Sequence, residues 1–140
     1  MTLAEFENSP TAANRGISNK MKAGQIEAAR LLCQKVFEPV RKFVGGPIKL
    51  NSGFRSVILN RAIGGSSSSQ HCKGEAIDIP INSKAFHYIK DNLDFDQLIW
   101  EFGNTQEPAW VHVSYKKSGN RKQILRAVKV AGKTAYKPFS

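Results

Sequence analysis

The apolar residues of this chain change period along its length, and that change limits the folds open to it. Between Gln25 and Val44 they recur three and four apart, as Ile26, Ala29, Leu32, Cys33, Val36, Phe37, Val40 and Phe43. Such spacing puts one apolar stripe on a helix, which then needs a surface to bury it. Pro39 falls inside the pattern and is expected to kink the helix or end it early. From Ala76 onward the apolar runs are short. Ala76-Ile77-Asp78-Ile79 reads as a strand, as do Gln97 to Phe102 and Trp110 to Tyr115. Gly103 to Pro108 supplies a turn between the last two, so they are predicted to pair antiparallel. A last strand over about Lys122 to Val130 sets Ile124, Arg126, Val128 and Val130 on one side, with Leu125, Ala127 and Lys129 on the other. Helices early and a mainly antiparallel sheet late predict an α+β domain with helices packed on a small sheet.

Shorter elements fill the gaps. Ser9-Pro10 starts a brief helix that Gly16 stops. Gly45-Gly46-Pro47 closes the long helix, and Ile48-Lys49-Leu50 reads as a short strand running into Ser52-Gly53-Phe54-Arg55. Val57 to Ile63 predicts another helix, stopped by Gly64-Gly65. The Ser66–Ser69 run has the composition of a flexible linker. Its place directly before the densest polar segment fits a functional loop better. Ser83 to Asn92 predicts a helix capped by Ser83.

That polar segment is Ser69-Gln70-His71-Cys72-Lys73-Gly74-Glu75-Ala76-Ile77-Asp78. A histidine in a loop and an aspartate seven residues later on a strand can converge once the chain turns at Gly74. Imidazole and carboxylate are both good ligands for first-row metals, and a catalytic zinc takes three protein ligands with one position open. His112, midway along a strand that should lie near Asp78, is the natural third. Taken singly, each residue also has a plain role as a hydrogen-bonding surface group. Their joint occurrence favours the metal. His87, on a helix with nothing nearby to recruit it, is expected to be structural.

The motifs around these residues extend the case. Ser52-Gly53-Phe54-Arg55-Ser56, Asn60, Gly64-Gly65, Ser69-Gln70-His71, Gly74, Ala76, Asp78 and Trp110-Val111-His112-Val113-Ser114 resemble the zinc D-Ala-D-Ala carboxypeptidase family. That family includes the L-alanyl-D-glutamate endopeptidases used as phage endolysins and shares its fold with the hedgehog signalling domain. The chain is most similar to a small single-domain branch common in phage and prophage genes. The likeness covers roughly residues 2 to 115 of a single 1–140 domain, leaving residues 116–140 as a basic extension. It implies a hedgehog/DD-peptidase-like fold and Zn2+ held by His71, Asp78 and His112. It also implies that Arg55 polarises or anchors a substrate carbonyl or carboxylate, a task suited to a planar guanidinium. Ser69 is implied as a substrate-binding or supporting hydrogen-bond group.

The general base does not carry over directly, because relatives place Glu or Asp three residues before the last histidine, where this chain has Ala109. Glu101 and Glu107 remain. Glu101 ends the strand expected to pair with that of His112, an arrangement similar to the hedgehog type. It is preferred to Glu107, which sits beside Pro108 in the connecting loop. The implied enzyme is a zinc metallopeptidase that hydrolyses peptidoglycan stem peptides at L-Ala-D-Glu or at D-Ala-D-Ala.

Charge and cysteines bear on partners. The net charge is +10, and the 26 residues from Tyr115 onward hold eight basic residues and no acidic one, hence +8. Such a field favours a polyanion, for which nucleic acid, anionic lipid headgroups and anionic cell-wall polymers all qualify on charge. The wall polymer is a candidate contact of the basic extension, and a plain solvated lysine-rich surface is the alternative. A nucleic-acid binder is the weaker alternative, since no helix-turn-helix, zinc-finger or stacking-aromatic motif accompanies the charge. A non-catalytic zinc-binding recognition module is a further alternative, opposed by Arg55 and the candidate base. Cys33 and Cys72 show no disulfide or CxxC framework and are expected to be free thiols. No signal peptide is visible and no apolar run approaches the ~20 residues that span a bilayer. The expectation is a soluble monomer made in the cytoplasm that reaches the cell wall after release or on a phage particle.

Overall fold

A computed structural model describes residues 1–139. Five strands form one sheet: β1 (Ala76–Ile79), β2 (Gln97–Glu101), β3 (Trp110–Ser114), β4 (Gln123–Val130) and β5 (Lys133–Pro138), in the spatial order β1-β3-β2-β4-β5. All neighbouring pairs are antiparallel except β2 and β4. The exception follows from the path of the chain. After β3 it crosses to the free edge of β2, so β4 runs opposite to β3 and therefore along β2. The α+β class expected from the change in period is the class observed.

Because strand side chains alternate, each strand has a buried and an open face. Ile77 and Ile79 of β1, Leu98 and Trp100 of β2, and Val111 and Val113 of β3 all point into the core. Against them pack α3 (Ala23–Leu32), α4 (Glu38–Val44) and α6 (Ser83–Asn92), which contribute Leu32, Val40, Phe86 and Ile89. The opposite face carries Asp78, His112, Ile99 and Glu101 and stays open as a cleft. Short α1 (Leu3–Glu7), α2 (Pro10–Arg15) and α5 (Val57–Ala62) complete the helices.

Several details depart from the sequence expectations. Pro39 neither ends the long helix nor leaves a broken one. A five-residue π-helical segment, Cys33–Phe37, joins α3 to α4 immediately before it. Widening the helix there takes up the main-chain partner that proline cannot serve. Ile48-Lys49-Leu50 forms no strand, and its chain meets β1 only at a single bridge between Ser52 and Asp78. Helix α6 is capped by Asn82, whose side chain accepts from the Ala85 N–H. Ser83 instead donates from its N–H and hydroxyl to Glu107, at 2.7 and 2.8 Å.

The basic extension is part of the sheet. β4 and β5 form a hairpin whose two-residue turn, Ala131-Gly132, has both φ angles positive, 52° and 77°. Its charges are dispersed: Arg121 pairs with Asp96, while Arg126 stacks over Trp100 and Phe139 at 4.8 and 4.9 Å. Both cysteines are free. Among the described residues no helix is long and apolar enough to cross a membrane.

Candidate metal centre and catalytic cleft

Three elements bring the polar residues together. His71 lies in a 3-10 turn, Gln70–Lys73, whose start is capped by the Ser69 hydroxyl accepting from the His71 N–H at 3.2 Å. Gly74 then turns the chain back at φ +75°, with no room for a side chain, because a Cβ would stand 2.5 Å from the Gln25 carbonyl oxygen. The returning strand carries Asp78, and β3 places His112 directly opposite it in register. The ligand atoms of His71, Asp78 and His112 all lie within 4.8 Å of one another.

The orientation of His71 is fixed from behind. Its Nδ1 is 2.7 Å from the Gly53 carbonyl oxygen, which can only accept, so Nδ1 carries a proton. Gly53 is needed for that approach, because a Cβ there would meet the Phe6 carbonyl oxygen at 2.5 Å. His71 Nε2 faces Asp78 Oδ2 at 3.3 Å, and His112 Nδ1 faces Asp78 Oδ1 at 3.1 Å. Burial pushes the His71 imidazole below its usual pKa and so disfavours a second proton. Burial works against the Asp78 anion as well. The imidazoles of His71 and then His112 outweigh it and hold the carboxyl well below the usual range.

Around this centre lies a cleft of about 860 Å³. Glu101 lines it and is 7% exposed. Ile99 stands opposite His112 on the neighbouring strand, so Glu101, two residues on, shares the face of the histidine. Burial, reinforced by Asp78 and opposed by His112, pushes the Glu101 carboxyl up to about 7. Glu107 does not line the cleft; it is occupied at the start of α6 by Ser83. Arg55 lies across the cleft beside Ser69, donating from Nη2 to the Ser69 hydroxyl at 3.3 Å, while its buried Nε has no partner. His87 is exposed on α6, away from the cleft.

Two contributors escaped the sequence reading. Asp96, fully buried, accepts from Gln70 Nε2 at 2.7 Å and so ties the His71 turn to the C-terminal segment through Arg121. The β4–β5 hairpin lends Gln123, Leu125, Lys129, Thr134 and Tyr136 to the cleft wall. The Tyr136 phenol is pushed up by burial and then by the charges of Glu101 and Asp78, which places it in the field of the centre. Lys129 had a visible signal in its strand alternation. The hairpin turn did not, because Ala-Gly lacks the Asn or Asp that usually marks it.

Comparison with known proteins places the chain in a family. A family model described as Peptidase M15 matches residues 1–114, a span that contains Arg55, His71, Asp78, Glu101 and His112. The zinc D-Ala-D-Ala carboxypeptidase of Streptomyces albus G is 37% identical over 68 residues, covering 48% of this chain. The aligned stretch spans only 27% of that curated relative. The match to the family model leaves only the last 26 residues outside it, and on that ground the chain belongs to the Peptidase M15 family.

Proposed function

We propose that the chain is a zinc-dependent peptidase that hydrolyses peptide bonds in bacterial peptidoglycan stem peptides. The carrying observation is the gap between His71 and Asp78. With its proton on Nδ1, His71 presents a bare lone pair at Nε2 to a carboxylate oxygen 3.3 Å away. Two acceptors facing each other need a cation between them, and burial disfavours a proton on that imidazole. Two nitrogens and one oxygen form a borderline donor set suited to zinc, whose tetrahedral ligands lie about 3.4 Å apart.

His71, Asp78 and His112 would hold the ion, which supplies Lewis acidity, acidifying a water and polarising the scissile carbonyl. Glu101 is the general base. It stands on the same sheet face, and its raised pKa suits a group that must both accept and return a proton near neutrality. It takes the proton of the attacking water and passes it to the departing amine. Arg55, with a buried N–H unspent, offers a fixed positive charge to the carbonyl oxygen or a nearby carboxylate. Ser69 steadies that guanidinium and the His71 turn together.

The test is mass spectrometry of peptidoglycan digested by the purified protein, with and without a chelator. New stem-peptide termini that vanish with chelator and return with zinc support the proposal. The mass of the fragments reads whether L-Ala-D-Glu or D-Ala-D-Ala is cut, and so whether an endolysin-like role fits. Protein that binds zinc stoichiometrically yet releases no fragment would make it a recognition module instead.

A further inference from the structure

The cleft has two walls of different origin. The metal-facing residues, Arg55 and Glu101 lie within the matched span, whereas the β4–β5 hairpin lies beyond residue 114. Strand register shows how the hairpin joins the site. Glu101 is opposite Ala127, and Ala127 is opposite Tyr136, so the three share one row and one face. Ala127, with a single side-chain carbon, keeps the floor low between the two larger residues. The cleft therefore continues past Glu101 onto the hairpin instead of closing there.

One residue further along that face stands Lys129, paired with Thr134. Its Nζ donates to the Thr134 hydroxyl at 3.1 Å and sits 5.3 Å from the Phe102 ring centre. Those contacts steer the ammonium and spend one of its three protons. Among the described residues no ion pair involves Lys129. Arg55 likewise has none, and it lies beyond the opposite edge of the sheet, beside β1. With a divalent ion offset by Asp78 and Glu101, these two cations leave the loaded cleft positive at both ends.

We propose that Lys129 is a substrate-binding residue, receiving a peptide carboxylate on the far side of Glu101 from the metal ligands. This rests on the peptidase function and deepens it. The peptide lies across the strands, from Arg55 over the centre to the hairpin, and the segment outside the family match shapes which peptides are accepted.

The experiment compares wild type, Lys129→Met and Lys133→Met, all zinc-loaded. The probes are L-Ala-γ-D-Glu-L-Lys-D-Ala-D-Ala and the same pentapeptide with D-isoglutamine and a terminal carboxamide. Lys133 carries equal charge at the hairpin tip and does not line the cleft. For Lys129→Met, KM for the acidic peptide should rise about threefold to fivefold, the scale of one exposed ion pair. KM for the amidated peptide should stay unchanged, and Lys133→Met should match wild type on both. Equal effects of Lys129→Met on the two peptides, or no effect on either, would overturn the proposal. Calorimetric binding of the same peptides reads the contact even if neither is cut. Failure of wild type to cleave therefore counts against the peptidase function, and loss of the binding difference counts against Lys129.

Discussion

Arg121 grips Asp96 with three donors, its main-chain N–H at 3.1 Å, Nε at 3.0 Å and Nη2 at 2.8 Å. The same carboxylate accepts from Gln70, the residue before His71. A buried anion thus fastens the turn that aims His71 to a segment outside the matched span. Asp96→Asn removes the charge of a buried carboxylate held by a half-exposed arginine, so it should cost about 1.5–3 kcal/mol in denaturant unfolding at pH 7. Zinc affinity, read by chelator competition, should fall about tenfold through the loosened turn. The Arg121 hydrogen bonds hold the Asp96 carboxyl at about 2, below its ordinary 3.8. A depressed carboxyl stabilises the fold above its unfolded pKa. The gap between variant and wild type should therefore be full at neutral pH and shrink as pH falls from about 4 towards 2. A variant as stable as wild type at pH 7 would leave the network without energetic weight.

Removing the proposed metal ligands should separate folding from chemistry. His71→Ala, Asp78→Ala and His112→Ala should each lose stoichiometric zinc by elemental analysis and lose turnover below detection. In metal-free protein His71→Ala should be the most destabilising, because its imidazole is 3% exposed and holds the Gly53 carbonyl at 2.7 Å. Zinc should raise the melting temperature of wild type and leave the three variants unmoved. A variant that retained tight zinc would remove its residue from the ligand set.

How much of this was legible in the sequence depended on whether a local rule governed the element. The core strands were readable because β1, β2 and β3 each place Ile, Leu, Val or Trp at alternate positions, whereas Asp78, His112 and Glu101 stood out by motif spacing and by their places on those strands. The long helix was readable from its stripe, but not its π segment. A proline's effect depends on whether the preceding turn can widen, and that is decided by packing. Ile48 to Leu50 looked like a strand from composition alone, yet pairing is a property of two strands. Among the described residues the free edge of β1 is met only by Asn51 and Ser52, through their bonds with Asp78. The Asp96–Gln70–Arg121 link joins residues 26 and 25 apart, too far for any spacing rule.

Glu107 should prove a structural residue. Its carboxylate accepts the Ser83 N–H and hydroxyl at the first turn of α6, where a negative charge favours the helix. Glu107→Gln should leave kcat and KM unchanged and cost about 0.5–1 kcal/mol of stability by denaturant titration. A large loss of turnover with stability intact would transfer the role of base to it.

Glu101→Gln should move activity and stability in opposite directions. In the proposed role of general base the carboxylate is needed in its ionised form, so the variant should keep zinc while kcat falls by about 10²–10⁴-fold. The stability effect follows from its pKa, raised by burial from 4.5 to about 7. Between those values the folded protein keeps a proton that the unfolded chain has released. Wild type without metal should therefore lose stability as pH rises from 4.5 through 7, because ionisation strands a charge in the cleft. The amide carries no such charge. In chelator Glu101→Gln should melt above wild type at pH 8, and the difference should close by pH 4. With zinc loaded the gap should narrow, since the cation favours the neighbouring carboxylate. Thermal melts at both pH values, each with chelator and with zinc, check every part. A variant that turned over at the wild-type rate would end the assignment of Glu101 as base, and one that melted below wild type at pH 8 in chelator would show that its carboxylate is not strained by burial.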